Sequence, residues 1–237
     1  MGRKIRDQSY RPLSRKRRAD IIINISASPF YAGKRFERER LLREKAIKNK
    51  VPIFYVNLVG GQDELVFDGQ SLAVDGTGNL VAFAKQSEED LIITDIDLVV
   101  WVAQKVVPSP YNKESEMFNA LVLGVCEYFR KTGFKKAVVG MSGGIDSSLT
   151  TCIAVEALGR ENVVGVSMPS IFSSEDSKTD AQKLAENLGI CFIQFSVQDI
   201  VESYKRTLES PLEKVRKHFG IEKIGMIRLL TRTYSLE

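Results

Sequence analysis

The sequence predicts an α/β protein in two parts: a mixed sheet with hairpins around one helix, then part of a doubly wound parallel sheet. Three observations predict it. β-Branched runs such as Ile21-Ile22-Ile23 share the first hundred residues with a glycine-rich turn. From Lys113 onward, apolar residues switch between helical and strand spacing. That switching reads strand–helix–strand–helix–strand, the order of a parallel sheet.

The elements follow in order. Residues 21–25 form a buried strand by their β-branched run. Residues 33–49, rich in Arg, Glu and Lys around Phe36, Leu41, Leu42 and Ile47, form a largely exposed helix, and 51–56 a second strand. Residues 71–74 and 80–83 flank Asp75-Gly76-Thr77-Gly78-Asn79, a hairpin turn because glycine supplies positive φ. Residues 90–102 are expected as a further strand, before a proline-containing linker at 106–112.

Beyond the linker, Phe118, Leu121, Val122, Val125 and Phe129 recur at i, i+3, i+4, i+7 and i+11, one helical face. Gly133 is placed to end that helix. Strand 137–139, helix 147–158 and strand 163–166 come next. Ala181, Leu184, Ala185 and Leu188 repeat the helical spacing, with Gly189 as terminator, before strand 191–195 and a last helix at about 200–208.

Composition narrows the function classes. The chain has 237 residues, enough for one large core or two modest ones, and 43% of them are hydrophobic, which excludes disorder throughout. No apolar run reaches the roughly 18–20 residues of a membrane span, and residues 1–20 hold no apolar stretch for a signal peptide. Cys126, Cys152 and Cys191 lack metal spacing and His218 stands alone, against a zinc site or a His-based triad. A reducing, cytoplasmic setting is expected.

The net charge of +4 is unevenly spread. Residues 1–19 hold eight basic side chains against Asp7, leaving 26 basic and 29 acidic ones elsewhere, a net of −3. The leader reads as a solvated segment. Neither it nor the acidic body has the aromatic interleaving or basic helix face of a nucleic-acid binder.

Chemistry concentrates in Gly140-Met141-Ser142-Gly143-Gly144-Ile145-Asp146-Ser147-Ser148, between an expected strand and an expected helix. Glycines let the backbone approach an anion, so successive amides can point at phosphate oxygens. Ser142, Ser147 and Ser148 add hydroxyl donors, and the helix N-terminus adds its positive dipole end. Gly-Lys-Ser/Thr is absent, so this is not a Walker-type loop. Asp146 beside a polyphosphate would be repulsive without a bridging divalent cation, which points to Mg²⁺.

Ser-Gly-Gly-Ile-Asp-Ser resembles the pyrophosphate loop of the ATP pyrophosphatases, enzymes that adenylate a substrate oxygen, release pyrophosphate and let a nucleophile displace AMP. Residues 165–170, Ser173-Ser174, Asp180-Ala181 and residues 184–190 look like the second strand and helix of glutamine-dependent NAD synthetases. Upstream, Asn24-Ile25-Ser26-Ala27-Ser28-Pro29-Phe30 with Gly33-Lys34, and residues 57–69, resemble the nitrilase-type glutaminase domain fused to those enzymes.

The resemblance implies a partial nitrilase-like αββα sandwich, then a partial adenine-nucleotide α-hydrolase-like sheet. It implies ATP contacts at Gly140, Met141, Ser142, Gly143, Gly144, Ile145, Asp146, Ser147, Met168 and Ser174, with Mg²⁺ on Asp146. Ser28 and Lys34 would hold glutamine. Substrates would be deamido-NAD, ATP and glutamine or ammonia, with a homo-oligomer compatible.

The organisation expected is a basic leader over 1–19, the C-terminal part of a glutaminase domain over 20–105, the linker, the N-terminal part of a synthetase domain over 113–223, and a tail without family likeness over 224–237. The Glu, Lys and Cys of nitrilase-type amidases would precede Asn24, yet no Cys and no Glu occur before Ile21. Cys126-Glu127 reads as part of an amphipathic helix. No catalytic residue is therefore assigned, and a truncated enzyme with at most weak ATP binding is the alternative expectation. Its incomplete sandwich should leave residues 21–25 and 51–56 with exposed apolar faces.

Overall fold

A computed structural model describes residues 19–97, 106–108, 110–169 and 175–220. Contacts divide the chain into one unit ending at Gly133 and another starting at Phe134.

In the first unit, β1 (Ile22–Ser26) runs parallel to β2 (Ile53–Asn57) with Ile22 opposite Ile53. Between them lies α1 (Lys34–Asn49). β3 (Val59–Gln62) and β4 (Leu65–Asp68) form a separate two-stranded ribbon. β5 (Leu72–Val74) and β6 (Leu80–Phe83) extend the main sheet antiparallel, giving the order β1-β2-β5-β6.

The period-2 alternation of β1 and β2 sends Ile22, Ile53 and Tyr55 into a core with Leu42 and Ala46 of α1, Leu72, Val74 and Leu80. Opposite side chains stay open, with Ile23 60%, Ile25 81% and Val56 48% exposed. This is the open apolar face expected of β1 and β2. Around β5 and β6 that side is partly covered by Ala73, Val81 and Ala82 packing with Phe54 and Ile96.

The β5–β6 turn is organised by Asp75, which is fully buried. Its Oδ1 accepts from Thr77 N at 2.9 Å, Thr77 Oγ1 at 2.7 Å and Asn79 N at 2.9 Å, and its Oδ2 accepts from Asn79 Nδ2 at 3.0 Å. Burial pushes the Asp75 carboxyl up, but the hydrogen bonds from Thr77 and Asn79 outweigh it and leave the group below its ordinary range.

The strand expected at 90–102 does not form over its described part, residues 90–97. Lys85 N donates to Asp90 Oδ2 at 3.0 Å and Thr94 Oγ1 to Val81 O at 3.3 Å, so side chains supply contacts that a strand would make through its backbone. Leu91 and Ile93 are each 87% exposed, so this stretch lacks the burial of a core strand.

Helix α2 (Lys113–Thr132) is capped by Asn112, whose Oδ1 accepts from Ser115 N at 2.6 Å, and ends at Gly133 as expected. It packs on the β3–β4 ribbon, with Glu127 and Gly124 against Gly60, Gly61 and Val66. The face so used passes through Glu116, Ala120, Gly124 and Glu127, whereas Leu121 of the apolar stripe is 51% exposed.

The second unit contains β7 (Ala137–Gly140), α3 (Ile145–Leu158), β8 (Val163–Ser167), α4 (Glu175–Leu188), β9 (Cys191–Gln194) and α5 (Gln198–Phe219). Strands β7, β8 and β9 are parallel neighbours in that order, with Val138 opposite Val164 and Val166 opposite Ile193. This is the βαβαβ unit the spacing predicts. Its core joins Met141, Ala154, Val163, Ala181, Ala185 and Ile190. Helix α5 continues well past residue 208 and carries Pro211 inside it. Proline removes one helical donor, but the residues beyond it keep helical spacing and Leu212 is buried.

Gly165 is fixed by close approach. A Cβ there would lie 2.4 Å from Met141 Sδ and 3.3 Å from side-chain carbons of Ile190 and Phe192. Gly165→Ala is expected to cost about 1–3 kcal/mol through overpacking, read as a lower urea midpoint with unchanged slope.

A second outcome concerns pH. Asp75 has a depressed folded pKa, so its contribution is complete above the unfolded value of about 3.9 and is lost as pH falls through the lower folded value. Asp75→Asn should destabilise by about 1–3 kcal/mol at neutral pH. The gap from the parent chain should narrow below about pH 4 in urea titrations.

Candidate functional site

Two sets of predicted site residues fall in different units. In the first, Ser28 lies in the loop between β1 and α1, and Lys34 opens α1. Asn57, buried at the end of β2, ties this loop down. Its Oδ1 accepts from Ser28 N at 2.9 Å and from Tyr55 Oη at 3.1 Å, while its Nδ2 donates to Gly69 O at 3.0 Å. Lys34 Nζ donates to Pro29 O and lies 5.1 Å from the centre of the Tyr31 ring. Burial lowers the Lys34 pKa, and the Arg38 charge acts in the same direction.

One turn along α1, Arg38 pairs with Asp68 at 3.0 Å, both side chains almost wholly buried, and donates to Gly69 O at 3.2 Å. Gln86 Nε2 adds a contact to Asp68 Oδ2 at 3.4 Å and another to Glu116 Oε1 at 3.3 Å. Glu116 Oε2 accepts from Gly33 N at 2.8 Å and Tyr111 Oη at 2.9 Å. Sequence reasoning missed this network. Its visible signal is a set of polar residues, Arg38, Asn57, Asp68 and Glu116, at core-facing positions of strands and helices.

Cys126 is exposed, and its neighbour Glu127 turns away to Arg130 at 2.7 and 2.8 Å. Hydrogen bonding from Arg130 holds the Glu127 carboxyl below its ordinary range despite partial burial. Cys126 thus lies on the helix surface, whereas Glu127 sits on the face that packs on the β3–β4 ribbon. All three cysteines are free thiols, and the described residues hold no cluster of three or more His, Cys, Asp or Glu suited to a metal.

In the second unit, Gly140 ends β7 and Met141 is buried, its N–H donating to Val166 O at 2.8 Å. The chain turns at Gly143, φ 84°, and α3 starts at Ile145, two residues earlier than expected. Ser147 Oγ closes the turn by accepting from Ser142 N at 3.2 Å and donating to Gly144 O at 3.0 Å. Ser142 Oγ lies 3.1 Å from Ser147 Oγ and accepts from Gly144 N at 3.2 Å. The amides of Ile145, Asp146 and Ser147 occupy the first turn of α3, where no intrahelical acceptor exists.

Ile145 is 81% exposed and Asp146 is exposed beside it. Met168, just beyond the end of β8, is 42% exposed. The turn and Met168 thus follow the carboxyl ends of adjacent parallel strands, where open α/β sheets hold ligands. Ser174 lies outside the described residues.

These features define an α/β chain in which a carbon–nitrogen hydrolase segment precedes an NAD synthase segment. The carbon–nitrogen hydrolase family model matches residues 4–105, and the NAD synthase model residues 117–231. The chain is similar to the glutamine-dependent NAD(+) synthetases.

Its similarity is 44% identity over 80% of this chain to the glutamine-dependent NAD(+) synthetase of Synechocystis sp., and 41% over 80% to that of Thermotoga maritima. The chain spans 34% and 38% of those two relatives, about a third of their length. A solved glutamine-dependent NAD(+) synthetase from Acinetobacter baumannii, in complex with ADP, superposes with a TM-score of 0.77 at 34% identity, covering 86% of this chain and 38% of that one.

The buried ion pair yields the next expectation. Arg38→Met strands the Asp68 carboxylate and should cost about 3–5 kcal/mol, whereas Arg38→Met with Asp68→Leu should recover much of the loss. Chemical denaturation of both variants checks it.

Proposed function

We propose that this chain holds the pyrophosphate-loop portion of an ATP-dependent amidation that converts deamido-NAD to NAD, with ammonia from glutamine. The observation that carries the reading is the Gly140–Ser147 turn at the carboxyl end of a parallel strand. A carboxylate is a poor acyl donor. Its oxygen attacks the α-phosphorus of ATP, pyrophosphate leaves, and the resulting acyl-adenylate loses AMP when ammonia attacks the carbonyl carbon.

The loop's part is to bind and orient. Amides of Gly143 to Ser147, with the positive end of α3, would take the negative charge that develops on the departing pyrophosphate. The Ser142 and Ser147 hydroxyls, bonded to each other within the turn, would rotate to donate to phosphate oxygens. Met168 would lie beside the adenine.

Mg²⁺ fits the donor set. Asp146 offers one exposed carboxylate at the helix start, and this ion is commonly held by one or two carboxylates together with substrate phosphates. When bound it would neutralise phosphate charge. In the first unit, Ser28 and Lys34 would hold glutamine, Lys34 as the cation for its carboxylate.

By itself the chain is proposed to bind Mg·ATP weakly without hydrolysing glutamine, because Cys126, the cysteine followed by a Glu, sits on an exposed helix face. Its proposed setting is cytoplasmic. No helix among the described residues is long and apolar enough to cross a membrane.

Titration calorimetry with Mg·ATP tests the loop. Binding should weaken about tenfold or more in Asp146→Asn, and likewise in Ser147→Ala, with little change in thermal stability. Unchanged ATP affinity in both variants would remove the loop from the site. Assays with deamido-NAD, ATP and either ammonia or glutamine should yield no NAD; its formation would show a complete catalytic unit.

A further inference from the structure

One side of the first unit's main sheet carries an apolar row across all four strands. Ile23 stands opposite Phe54, Phe54 opposite Ala73, and Ala73 opposite Ala82. Over β5 and β6 the row is covered, because the stretch 90–96 crosses that side. Its Ile96 packs with Ala73, Val81 and Ala82, and Thr94 Oγ1 bonds to Val81 O. Over β1 and β2 the row is open, and Ile23, Ile25 and Val56 face solvent.

The side is therefore stepped. A recess over β1 and β2 deepens beside Ile25 and Val56 into a cavity of about 350 Å³, and residues 90–96 stand next to it as a ridge. Leu91 and Ile93 on that ridge are the most exposed large apolar side chains among the described residues. Two apolar sets of opposite relief thus lie on one side of one sheet.

We propose that a second copy of this chain covers this side, the ridge of each copy seated in the recess of the other. A two-fold axis running along the strands between facing sheets exchanges the β1 and β6 sides. It brings Leu91 and Ile93 of one copy onto Ile23, Ile25 and Val56 of the other, twice. Five such side chains at roughly 100 Å² each bring about 500 Å² of apolar surface per copy, close to the apolar share of a standard interface of about 800 Å² a side. The contact closes on itself, so assembly stops at two. Exposed carboxylates at Glu88, Glu89 and Asp90, which line the recess, disfavour an anionic lipid surface as the occupant. The inference rests on the first unit alone, so its failure leaves the reading of the Gly140–Ser147 turn untouched.

Sedimentation velocity of the full chain across the micromolar range tests it. The expected species is a dimer in reversible exchange with monomer. Ile25→Glu in the recess and Ile93→Lys on the ridge each replace an exposed side chain, so the thermal midpoint should hold while dimer affinity falls about a hundredfold or more. Mixing the Ile25→Glu chain with the Ile93→Lys chain should restore a dimer, because one ridge–recess contact is then native and the other joins opposite charges. Leu121→Lys, an equally exposed apolar site on α2, should leave dimerisation unchanged. A parent chain that stays monomeric, assembly that runs on past two, a dimer that survives either charged variant, failure of the mixture to pair, or dissociation by Leu121→Lys would each overturn the proposal. So would a monomer that co-floats with phosphatidylcholine vesicles, an outcome that assigns the side to lipid instead.

Discussion

The buried pair between Arg38 and Asp68 is the constraint on which the first unit depends. Two charges taken out of water must meet in good geometry, and here both are almost wholly enclosed at 3.0 Å. The pair ties α1 to the end of β4, and the adjoining Gly69 carbonyl accepts from both Arg38 and Asn57. Asn57 in turn holds the Ser28 amide. The loop from β1 to α1 is thus placed by a chain of buried hydrogen bonds. Lys34 opens the same helix that Arg38 anchors, and Glu116 caps its start through Gly33.

The second unit is organised differently. Its polar loop rests on an apolar plug, because Met141 is buried against the site that Gly165 leaves empty of a side chain. Glycine on the middle strand lets the residue at the root of the turn sink into the core. Thr151, fully buried on α3, donates to Ser147 O at 2.7 Å and satisfies a helix carbonyl without leaving that core. The exposed part of the turn, Ser142 to Asp146, is therefore a short rim on a packed base.

Much of this was legible in the sequence where one physical signal acted alone. Ala181 and Ala185 are buried because helical spacing and small volume both demand it, and Gly133 ends α2 in the left-handed region at φ 80°. The turn at 140–147 was recognisable because its glycines and serines serve backbone geometry directly. Where tertiary context decides, the pattern was incomplete. Phe118, Val122, Val125 and Phe129 of the expected stripe are half-buried on α2, but close approach to Gly60 and Gly61 uses another face, with Gly124 and Glu127. Residues 90–97 read as part of a strand yet find their partners through Asp90 and Thr94 side chains. The polar network around Asn57 had no periodic signature at all, since its members come from five separate elements and loops.

The turn from Gly140 to Ser147 is already closed on itself, and this bears on how it could take an anion. Ser147 Oγ spans the turn to Ser142 N and Gly144 O, and Ser142 Oγ reaches Gly144 N. Each bond is a modest net term, about 1 kcal/mol, so replacing hydroxyl contacts by charged phosphate oxygens is favourable when the anion accepts several amides together. The backbone would need little rearrangement. Gly143 has already adopted its positive φ, and α3 has already presented its first-turn amides, so the ordering cost that weakens flexible sites is largely met in advance. A phosphate would then be recognised by a turn whose shape is set by glycine stereochemistry and whose base is set by the packing beneath Met141.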